Sequence, residues 1–404
     1  MITDLNEYRL LRKGPDEYFA AYKKGTNVRK HGGIVKKKIC FVLNNMNVGG
    51  TEKAFLNMVQ LLPKEKFDVT LLLLERSGGF LPMVPDHVRI EIIPDYDRMK
   101  PEIMDPPFKV VRREVHEGKI LRAAGLALTH LIFKLTGDRT LYYRCVLSGI
   151  RKEEYYDYAV AYCGPFDLIT VYVLYCMKAR RKIQWIHFDV TKFYLNVVMY
   201  RKLFRKFHRI CVVSEEAREQ LLAVIPEIAP KTKTVPNRIS RTECRRMAAL
   251  GEGFQDGYEG LRIVTLGRLS AEKGQDIIPD VARILADRGL EFRWYLIGDG
   301  KLREKIEALA AEFDVTDRLS FCGTQINPYP FLKQADIYVQ TSVHEGYGIA
   351  IAEAKAFDLP VVSTDCTGAY EQLQGRENSR IVGRKADEIA EAILEISRGV
   401  NTGK

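Results

Sequence analysis

The sequence predicts an α/β protein with two domains, each built on a parallel sheet that helices cover on both faces. The apolar runs are short and nearly continuous rather than alternating, which is typical of strands buried on both faces. Amphipathic stretches with helical spacing separate these runs, so strand and helix alternate along the chain. The 404 residues are enough for two such domains. Because crossovers between parallel strands are right-handed, both domains are predicted to be Rossmann-like.

The apolar runs form two series, one in each half of the chain. In the first half we predict strands over residues 38–43, 68–74, 89–93, 158–162, 182–186 and 209–213. In the second half we predict strands over residues 262–266, 293–297, 319–322, 336–339, 360–364 and 380–382. The predicted domains are a basic N-terminal extension over 1–35, an N-terminal domain over 36–240, a glycine-rich linker over 241–260 and a C-terminal domain over 261–404. Helices are expected within 95–150, without a prediction of their packing.

The composition is that of an ordinary globular protein, with 46% hydrophobic and 28% charged residues. No apolar run reaches the roughly 18–20 residues that a bilayer span needs. The N-terminus lacks the apolar core of a secretory signal, so we predict a cytoplasmic chain. The eight cysteines form no C-x-x-C pair, which argues against a zinc site or a disulfide framework.

Positive charge is concentrated in the first part of the chain. Residues 1–240 hold 41 Lys and Arg against 26 Asp and Glu, and the remainder holds 21 against 26. Such asymmetry is typical of a protein with an anionic partner, either a nucleic acid or an anionic membrane surface. Residues 178–182 and 201–207 are dense in cations, and the second run interleaves them with aromatics as interfacial segments do. A solvated basic face is the alternative. No nucleic-acid reading element is present, so no nucleic-acid partner is expected.

Two predicted loops at the carboxyl ends of strands carry glycines beside polar residues, where parallel sheets bind ligands. In the first, Gly49 and Gly50 precede a helix and let a ligand approach the backbone closely, although a plain glycine turn has the same pattern. In the second, over residues 267–274, Arg268 and Lys273 are placed to clamp a diphosphate from two sides. The alternative for each cation alone is an ordinary surface charge.

A third loop opens a helix with Gly346, Tyr347, Gly348 and Ile349. The amide N–H groups of Tyr347 to Ile349 are expected to be free to bind anionic or hydroxyl oxygens. Glu345 precedes this helix and Glu353 lies two turns inside it, about 10–12 Å away at 1.5 Å per residue. This reach suits a ligand with hydroxyls at both ends and a diphosphate between them, as in a nucleotide-sugar. In a fourth loop, His187 ends a strand of the first half and is expected to face the space between the domains. A structural histidine with satisfied hydrogen bonds is the alternative.

Together these segments resemble the retaining family 4 glycosyltransferases, which have the GT-B fold. The resemblance rests on residues 268–274, on residues 298–300 and above all on the E-x7-E pattern from Glu345 to Glu353. It implies two Rossmann-like domains that face each other across a cleft, the N-terminal one holding the acceptor and the C-terminal one the donor. The family's P-N-G turn reads Pro-Asn-Arg here, with Arg238 in the glycine position.

The resemblance also implies roles for the candidate residues. Arg268 and Lys273 neutralise the donor diphosphate, Glu353 holds the ribose hydroxyls, and Glu345 with the four following residues holds the donor sugar. His187 lies near the reacting sugar, and the glycine pair at 49 and 50 allows the domains to close. His187, Glu345, Arg268 and Lys273 form the predicted catalytic set. No metal and no cofactor beyond the donor substrate are expected.

The predicted function is that of a retaining, metal-independent glycosyltransferase in cell-surface polysaccharide synthesis. The expected donor is a nucleotide-sugar, with UDP favoured, and the expected acceptor is a glycan or a lipid-linked glycan. The anionic inner face of the cell membrane is a candidate site of peripheral attachment. The alternative is a non-catalytic nucleotide-sugar-binding subunit of a polysaccharide assembly complex, and a nucleic-acid-binding protein ranks last.

Overall fold

The computed structural model describes residues 36–164, 166–192 and 195–400. The predicted extension over residues 1–35 lies outside these. The chain forms two compact units. The first contains the described residues up to Asn47 together with 51–213 and 218–235. The second contains residues 48–50, 214–217 and everything described from Pro236 onward.

The first unit is built on a seven-stranded sheet in which all pairs are parallel, in the order β3-β2-β1-β4-β5-β6-β7. Its strands are β1 Lys37–Leu43, β2 Phe67–Leu73, β3 Val88–Ile92, β4 Lys152–Gly164, β5 Met177–Ile186, β6 Arg209–Val212 and β7 Thr232–Thr234. All six strands predicted for this half are present. The seventh has three residues and no apolar run, so the pattern of the sequence did not predict it.

Helices flank this sheet and fill the long segment after β3. They are α1 Gly50–Leu61, α2 Tyr96–Met104, α3 Pro107–His116, α4 Ile120–Thr136, α5 Thr140–Val146, α6 Asp167–Tyr175, α7 Val197–Phe204 and α8 Glu215–Val224. The central strand β1 is no more than 1% exposed from Ile39 to Leu43. Its side chains point to both faces, so burial on both faces accounts for the continuous apolar run.

The second unit is built on a six-stranded parallel sheet in the order β10-β9-β8-β11-β12-β13. Its strands are β8 Leu261–Leu266, β9 Phe292–Ile297, β10 Leu319–Gly323, β11 Ile337–Gln340, β12 Val361–Thr364 and β13 Ser379–Val382. Its helices are α9 Arg241–Ala248, α10 Ile278–Asp287, α11 Arg303–Glu312, α12 Tyr329–Gln334, α13 Ile349–Ala356, α14 Ala369–Leu373 and α15 Ala386–Val400. All six predicted strands of this half are present.

The segment predicted as a linker contains a helix. Ser240 accepts a hydrogen bond from the amide of Glu243 and so caps α9 (3.2 Å). Cys244 and Ala248 are buried in the same apolar cluster as Val264 of β8. Cys244 and Ala248 are four residues apart and therefore share one helix face. This spacing indicates a helix, but the cluster of glycines that follows it led to the prediction of a linker.

The strand order places a switch point beside β8, since β9 pairs with one edge of it and β11 with the other. The loops that leave β8 and β11 therefore diverge to opposite sides of the sheet and open a crevice at its carboxyl end. In the described part of the chain, no helix combines the length and apolar character needed to cross a bilayer.

Candidate functional site

Three loops at the carboxyl end of the second sheet are tied together by backbone hydrogen bonds. The N–H of Gly267, after β8, donates to Ile297 at the end of β9 (2.9 Å), and the N–H of Leu269 donates to Asp299 (3.1 Å). The N–H of Val343, after β11, donates to Glu272 (3.0 Å). The three loops therefore form one rim, which we call the donor-side rim: residues 266–275, 297–302 and 340–349.

Glycines permit the close approach of these loops. Gly298 has φ 145°, and a Cβ there would lie 1.9 Å from the carbonyl oxygen of Gly267. Gly274 has φ 61°, and a Cβ there would lie 2.5 Å from the carbonyl oxygen of Thr341. Side chains at these positions would separate the loops, so the glycines of the predicted motifs hold the rim together. The carboxylate of Asp299 accepts a hydrogen bond from the N–H of Gly300 (2.8 Å), and α11 begins at Arg303.

The rim holds the carboxylate of Glu345 through one of its oxygens. The Nζ of Lys273 donates to Oε1 of Glu345, as do Nε2 of Gln340 (2.7 Å) and Oγ of Ser342 (2.7 Å). No described residue donates a hydrogen bond to Oε2 of Glu345. The carboxylate is therefore fixed in orientation on one side and retains an acceptor on the other.

Arg268 lies on the same rim with its side chain exposed. Within the described chain, no carboxylate forms an ion pair with its guanidinium. Burial pushes the pKa of the Glu272 carboxyl upward, but its own backbone N–H, Ser270 and the charges of Arg268 and Lys273 bring that pKa below the ordinary value. Both cations therefore act on this one carboxylate. The diphosphate clamp remains a prediction.

The helix that follows Glu345 begins at Ile349, after Gly348 in the left-handed region at φ 76°. The amides of Tyr347, Gly348 and Ile349 make no hydrogen bond with any described residue. The side-chain amide of Gln372 donates to the carbonyls of Tyr347 and Gly348 and holds the loop in place. Three backbone donors at a helix N-terminus provide a site for an anion or for hydroxyl oxygens.

Glu353 lies inside this helix and is 4% exposed. The hydroxyl of Tyr329 donates to its Oε1 (2.9 Å), and Tyr329 is itself buried. Burial beside Glu353 raises the pKa of the Tyr329 phenol, so the phenol stays protonated and donates. The sequence predicted Glu353 as a ligand-binding residue but gave no partner for it.

A buried polar chain that the sequence analysis did not identify supports Glu345. Tyr338 donates to Gln340, which donates to Ser342 and to Glu345. All three supporting side chains are buried. The sequence signal that could have identified this chain is the presence of polar residues at the carboxyl end of a parallel strand. The nearby thiol of Cys366 is inert, since burial and the charge of Glu345 raise its pKa to about 12.

Another predicted site, the glycine pair, belongs to a short segment that groups with the second unit. Gly49 and Gly50 lie in residues 48–50, and a Cβ at Gly50 would lie 3.8 Å from Cδ1 of Ile349. Glu371 of α14 accepts a hydrogen bond from the backbone N–H of Glu216 (2.9 Å), which lies in another short segment of the same unit. Burial raises the pKa of its carboxyl.

In the first unit, His187 directly follows β5. Its ring lies 4.4 Å from that of Tyr162, between centroids. Both ring nitrogens are buried, and neither forms a hydrogen bond of normal geometry with a described residue. Burial lowers the pKa of His187 to about 3, which only the Tyr162 backbone opposes, so the imidazole is neutral at pH 7. Among the described residues, His187 therefore lacks the well-formed hydrogen bonds that a satisfied structural histidine would have.

The interfacial interpretation of residues 201–207 is wrong. Phe204 and Phe207 are buried in the core of the first unit. The cations of residues 201–207 have partners as well: Arg201 and Arg205 both form ion pairs with Glu227. Cations and aromatics alternate because they lie on opposite faces of helix α7, and the aromatic face is buried. The basic run over 178–182 lies in strand β5, and Lys178 pairs there with Glu153.

Metal ligands do not cluster in the described residues, where no group of three or more His, Cys, Asp and Glu side chains is placed to hold an ion. Asp95 and Asp97, which have the spacing of a metal motif, are exposed at the start of α2. Independence from metal remains a prediction about the reaction.

Part of the chain is similar to known proteins. Residues 260–398 match the family described as Glycosyl transferases group 1. The lipopolysaccharide core biosynthesis glycosyltransferase LpsE of Rhizobium meliloti is 35% identical over 136 residues, which are 33% of this chain and 38% of LpsE. An uncharacterised glycosyltransferase of Haemophilus influenzae is 22% identical over 85% of each chain. The chain spans less than half the length of the first curated relatives it matches, between 37% and 45%.

Among solved structures, HepE of Anabaena in complex with UDP and glucose superposes with a TM-score of 0.64 at 16% identity, over 91% of this chain and 92% of HepE. This similarity and the two Rossmann-like sheets confirm the predicted GT-B fold. Several of the curated relatives are named for the synthesis of cell-surface polysaccharides: LpsE for lipopolysaccharide core, AmsK of Erwinia amylovora for amylovoran and WcaL of Salmonella typhimurium for colanic acid.

Proposed function

We propose that the chain is a retaining, metal-independent glycosyltransferase that moves a sugar from a nucleotide-sugar to a glycan or lipid-linked glycan. The observation that carries this proposal is the state of Glu345. Its carboxylate is held through Oε1 by Lys273 and two neutral donors, while Oε2 lies ready to accept a sugar hydroxyl. The exposed Arg268 and the unbonded amides of Tyr347–Ile349 lie on the same rim.

Departure of a nucleoside diphosphate from the sugar leaves additional negative charge on the β-phosphate. Arg268, Lys273 and the N-terminus of α13 are positive groups on fixed elements, and they stabilise that charge without having to reorganise. The carboxylate of Glu345 keeps Lys273 oriented. In the proposed step, the bond from the sugar C1 to the phosphate oxygen breaks and the acceptor oxygen bonds to C1 on the same face. The proton of the acceptor moves to the leaving phosphate.

Two further residues hold the ends of the donor in this proposal. The carboxylate of Glu353, oriented by Tyr329, accepts hydrogen bonds from the ribose hydroxyls. His187 lies near the reacting sugar, where a hydroxyl would satisfy its buried ring nitrogen. An unsatisfied buried polar group costs about 1–3 kcal/mol, so a ligand that satisfies it recovers this free energy.

The choice of UDP and of a surface polysaccharide rests on the relatives. HepE is described in complex with UDP and glucose, and LpsE is named for lipopolysaccharide core biosynthesis. We extend these properties to the present chain as part of the proposal.

The test is a panel of nucleotide-sugars screened by thermal shift, followed by donor hydrolysis without acceptor. A bound donor at one hundred times its Kd stabilises the protein by about 2.7 kcal/mol. Arg268→Ala should reduce hydrolysis by about a hundredfold. Arg288→Ala, an exposed arginine paired with Glu391, is the matched control and should leave the rate unchanged.

Three outcomes would contradict the proposal. Binding without hydrolysis or transfer indicates the non-catalytic subunit, and hydrolysis that survives Arg268→Ala removes the diphosphate clamp. Loss of activity in EDTA, restored by a divalent cation, rules out the metal-independent mechanism.

A further inference from the structure

Helix α4 exposes an apolar face that nothing in the described chain covers. Of its nine exposed positions, seven are apolar, and the other two are Lys134 and Thr136. The leucines at 121, 128, 131 and 135 are 91%, 59%, 53% and 78% exposed. Spacings of seven, three and four residues place them on one side of the helix. The opposite side carries Ala123 and Leu126, which are buried.

The neighbouring helix α3 packs against α4 and extends this face. Phe108 and Val115, seven residues apart in α3, are exposed, and so is Met104 just before it. We call residues 104–136 the exposed hairpin. Contiguous apolar patches larger than a few hundred Å² are rare on monomeric soluble proteins and mark surfaces that contact another molecule or a membrane.

Cations without partners border the apolar face. Residues 107–139 contain seven Lys and Arg against three Asp and Glu. Lys109, Arg112 and Lys134 are exposed, and none of them forms an ion pair with a carboxylate of the described residues. By contrast, Arg113 pairs with Asp105 and Lys119 with Glu117. An apolar face bordered by free cations matches the acyl and headgroup layers of an anionic membrane surface.

We propose that the exposed hairpin is the segment by which the protein docks on a bilayer of anionic lipid. The leucine face enters the boundary between headgroups and acyl chains, and the three cations contact lipid phosphates. The proposal moves membrane contact away from residues 178–182 and 201–207. It goes beyond the proposed enzymatic function and does not depend on it, because docking is measured without a nucleotide-sugar.

The test of the apolar face is co-sedimentation of the full chain with vesicles of phosphatidylcholine containing 30% phosphatidylglycerol. Leu121→Gln with Leu135→Gln should lower the partition coefficient at least about tenfold, since two exposed leucines lose their burial in lipid. Leu250→Gln with Ile326→Gln, two exposed apolar residues of the second unit, is the control and should leave partition unchanged.

The test of the cations uses Lys109→Gln, Arg112→Gln and Lys134→Gln together. Partition should fall at least about tenfold and lose most of its salt dependence, because each cation near an anionic leaflet contributes to binding. Lys64→Gln, Lys66→Gln and Lys333→Gln, equally exposed, form the matched control. Binding to pure phosphatidylcholine should be weaker than to the anionic vesicles.

Other occupants of the face give distinct results. A second copy of the chain would show as a dimer by light scattering that the leucine variants convert to monomer with vesicle binding intact. A segment of the same chain would show as a lower Tm in the leucine variants with vesicle binding intact. Either result, or equal binding to anionic and zwitterionic vesicles, would overturn the proposal.

Discussion

The carboxyl ends of the two sheets are built differently. On the donor-side rim, Glu345 is already engaged by Lys273, Gln340 and Ser342. At the corresponding end of the first sheet, the side-chain oxygen of Asn44, the hydroxyl of Tyr162 and both ring nitrogens of His187 are buried, and none of them forms a hydrogen bond of normal geometry with a described residue.

The difference indicates how the two sites recognise ligands under the proposed function. A diphosphate and a ribose are common to many donors, so preorganised charges suit them. Unpaired polar groups cost stability in the free protein and are satisfied only by the ligand. The first unit is therefore expected to contribute to transfer and acceptor selection more than to nucleotide affinity.

The largest effect is expected at the centre of the donor-side rim. Glu345→Ala should lower kcat by about a hundred- to a thousandfold, because it removes the oriented carboxylate and leaves Lys273 without its partner. Lys273→Met should have a similar effect. The double variant should be little worse than either single variant, because the two groups act as a unit. Steady-state kinetics measure all three, with the exposed Glu304→Ala as control, and additive losses would contradict the paired role.

At the first sheet, His187→Phe keeps a ring against Tyr162 and removes both unsatisfied nitrogens. Transfer should fall about ten- to fiftyfold, while the Kd for the nucleotide changes less than about threefold. Unfolding free energy should rise by about 1 kcal/mol, since a buried unpaired polar group is removed. Kinetics, calorimetry and urea unfolding test these points, with the exposed His87→Phe as control. Weaker nucleotide binding or a loss of stability would show that His187 does not act as an unsatisfied group that affects transfer alone.

The pH dependence of stability should show the same neutral imidazole. The pKa of His187 is about 3 in the folded protein and about 6.5 when unfolded. Below pH 6.5 the unfolded state binds the additional proton, so stability present at pH 7 is lost as the pH falls. Between pH 6.5 and pH 5 this loss is about 1.5 kcal/mol. The free energy of unfolding in urea, measured between pH 7 and pH 5, should fall by this additional amount in the parent and not in His187→Phe. If the free energies of the two proteins changed in parallel with pH, the buried neutral state would be refuted.

The smallest effect is expected where a neutral group only orients a charged one. Tyr329→Phe should raise the KM for the donor about fivefold with little change in kcat, because Glu353 keeps its charge and loses one hydrogen bond. Tyr258→Phe, before the amino end of β8, is the control. A kcat loss comparable to that of Glu345→Ala would place Tyr329 in the chemistry rather than in orientation.

Much of this architecture could be predicted from sequence because its signals are local. Continuous apolar runs predicted twelve of the thirteen strands found in the described residues, and glycines next to cations predicted the loops that form the donor-side rim. What periodicity alone does not determine is which face of a helix is buried. Residues 201–207 look interfacial but bury Phe204 and Phe207, whereas the leucines of α4 look like core and lie exposed. The missing partner of His187 likewise depends on which side chains the fold brings near it.

The contact of Gly298 with Gly267 limits how this protein can be engineered. Because one methyl group at position 298 would overlap a backbone oxygen, a randomised library would recover glycine there whatever sugar is selected for. Under the proposed function, changes of donor preference would instead come from side-chain positions such as Gln340 and Ser342. The rim then consists of a backbone frame that tolerates no side chain at Gly298 and a set of polar side chains that can be replaced.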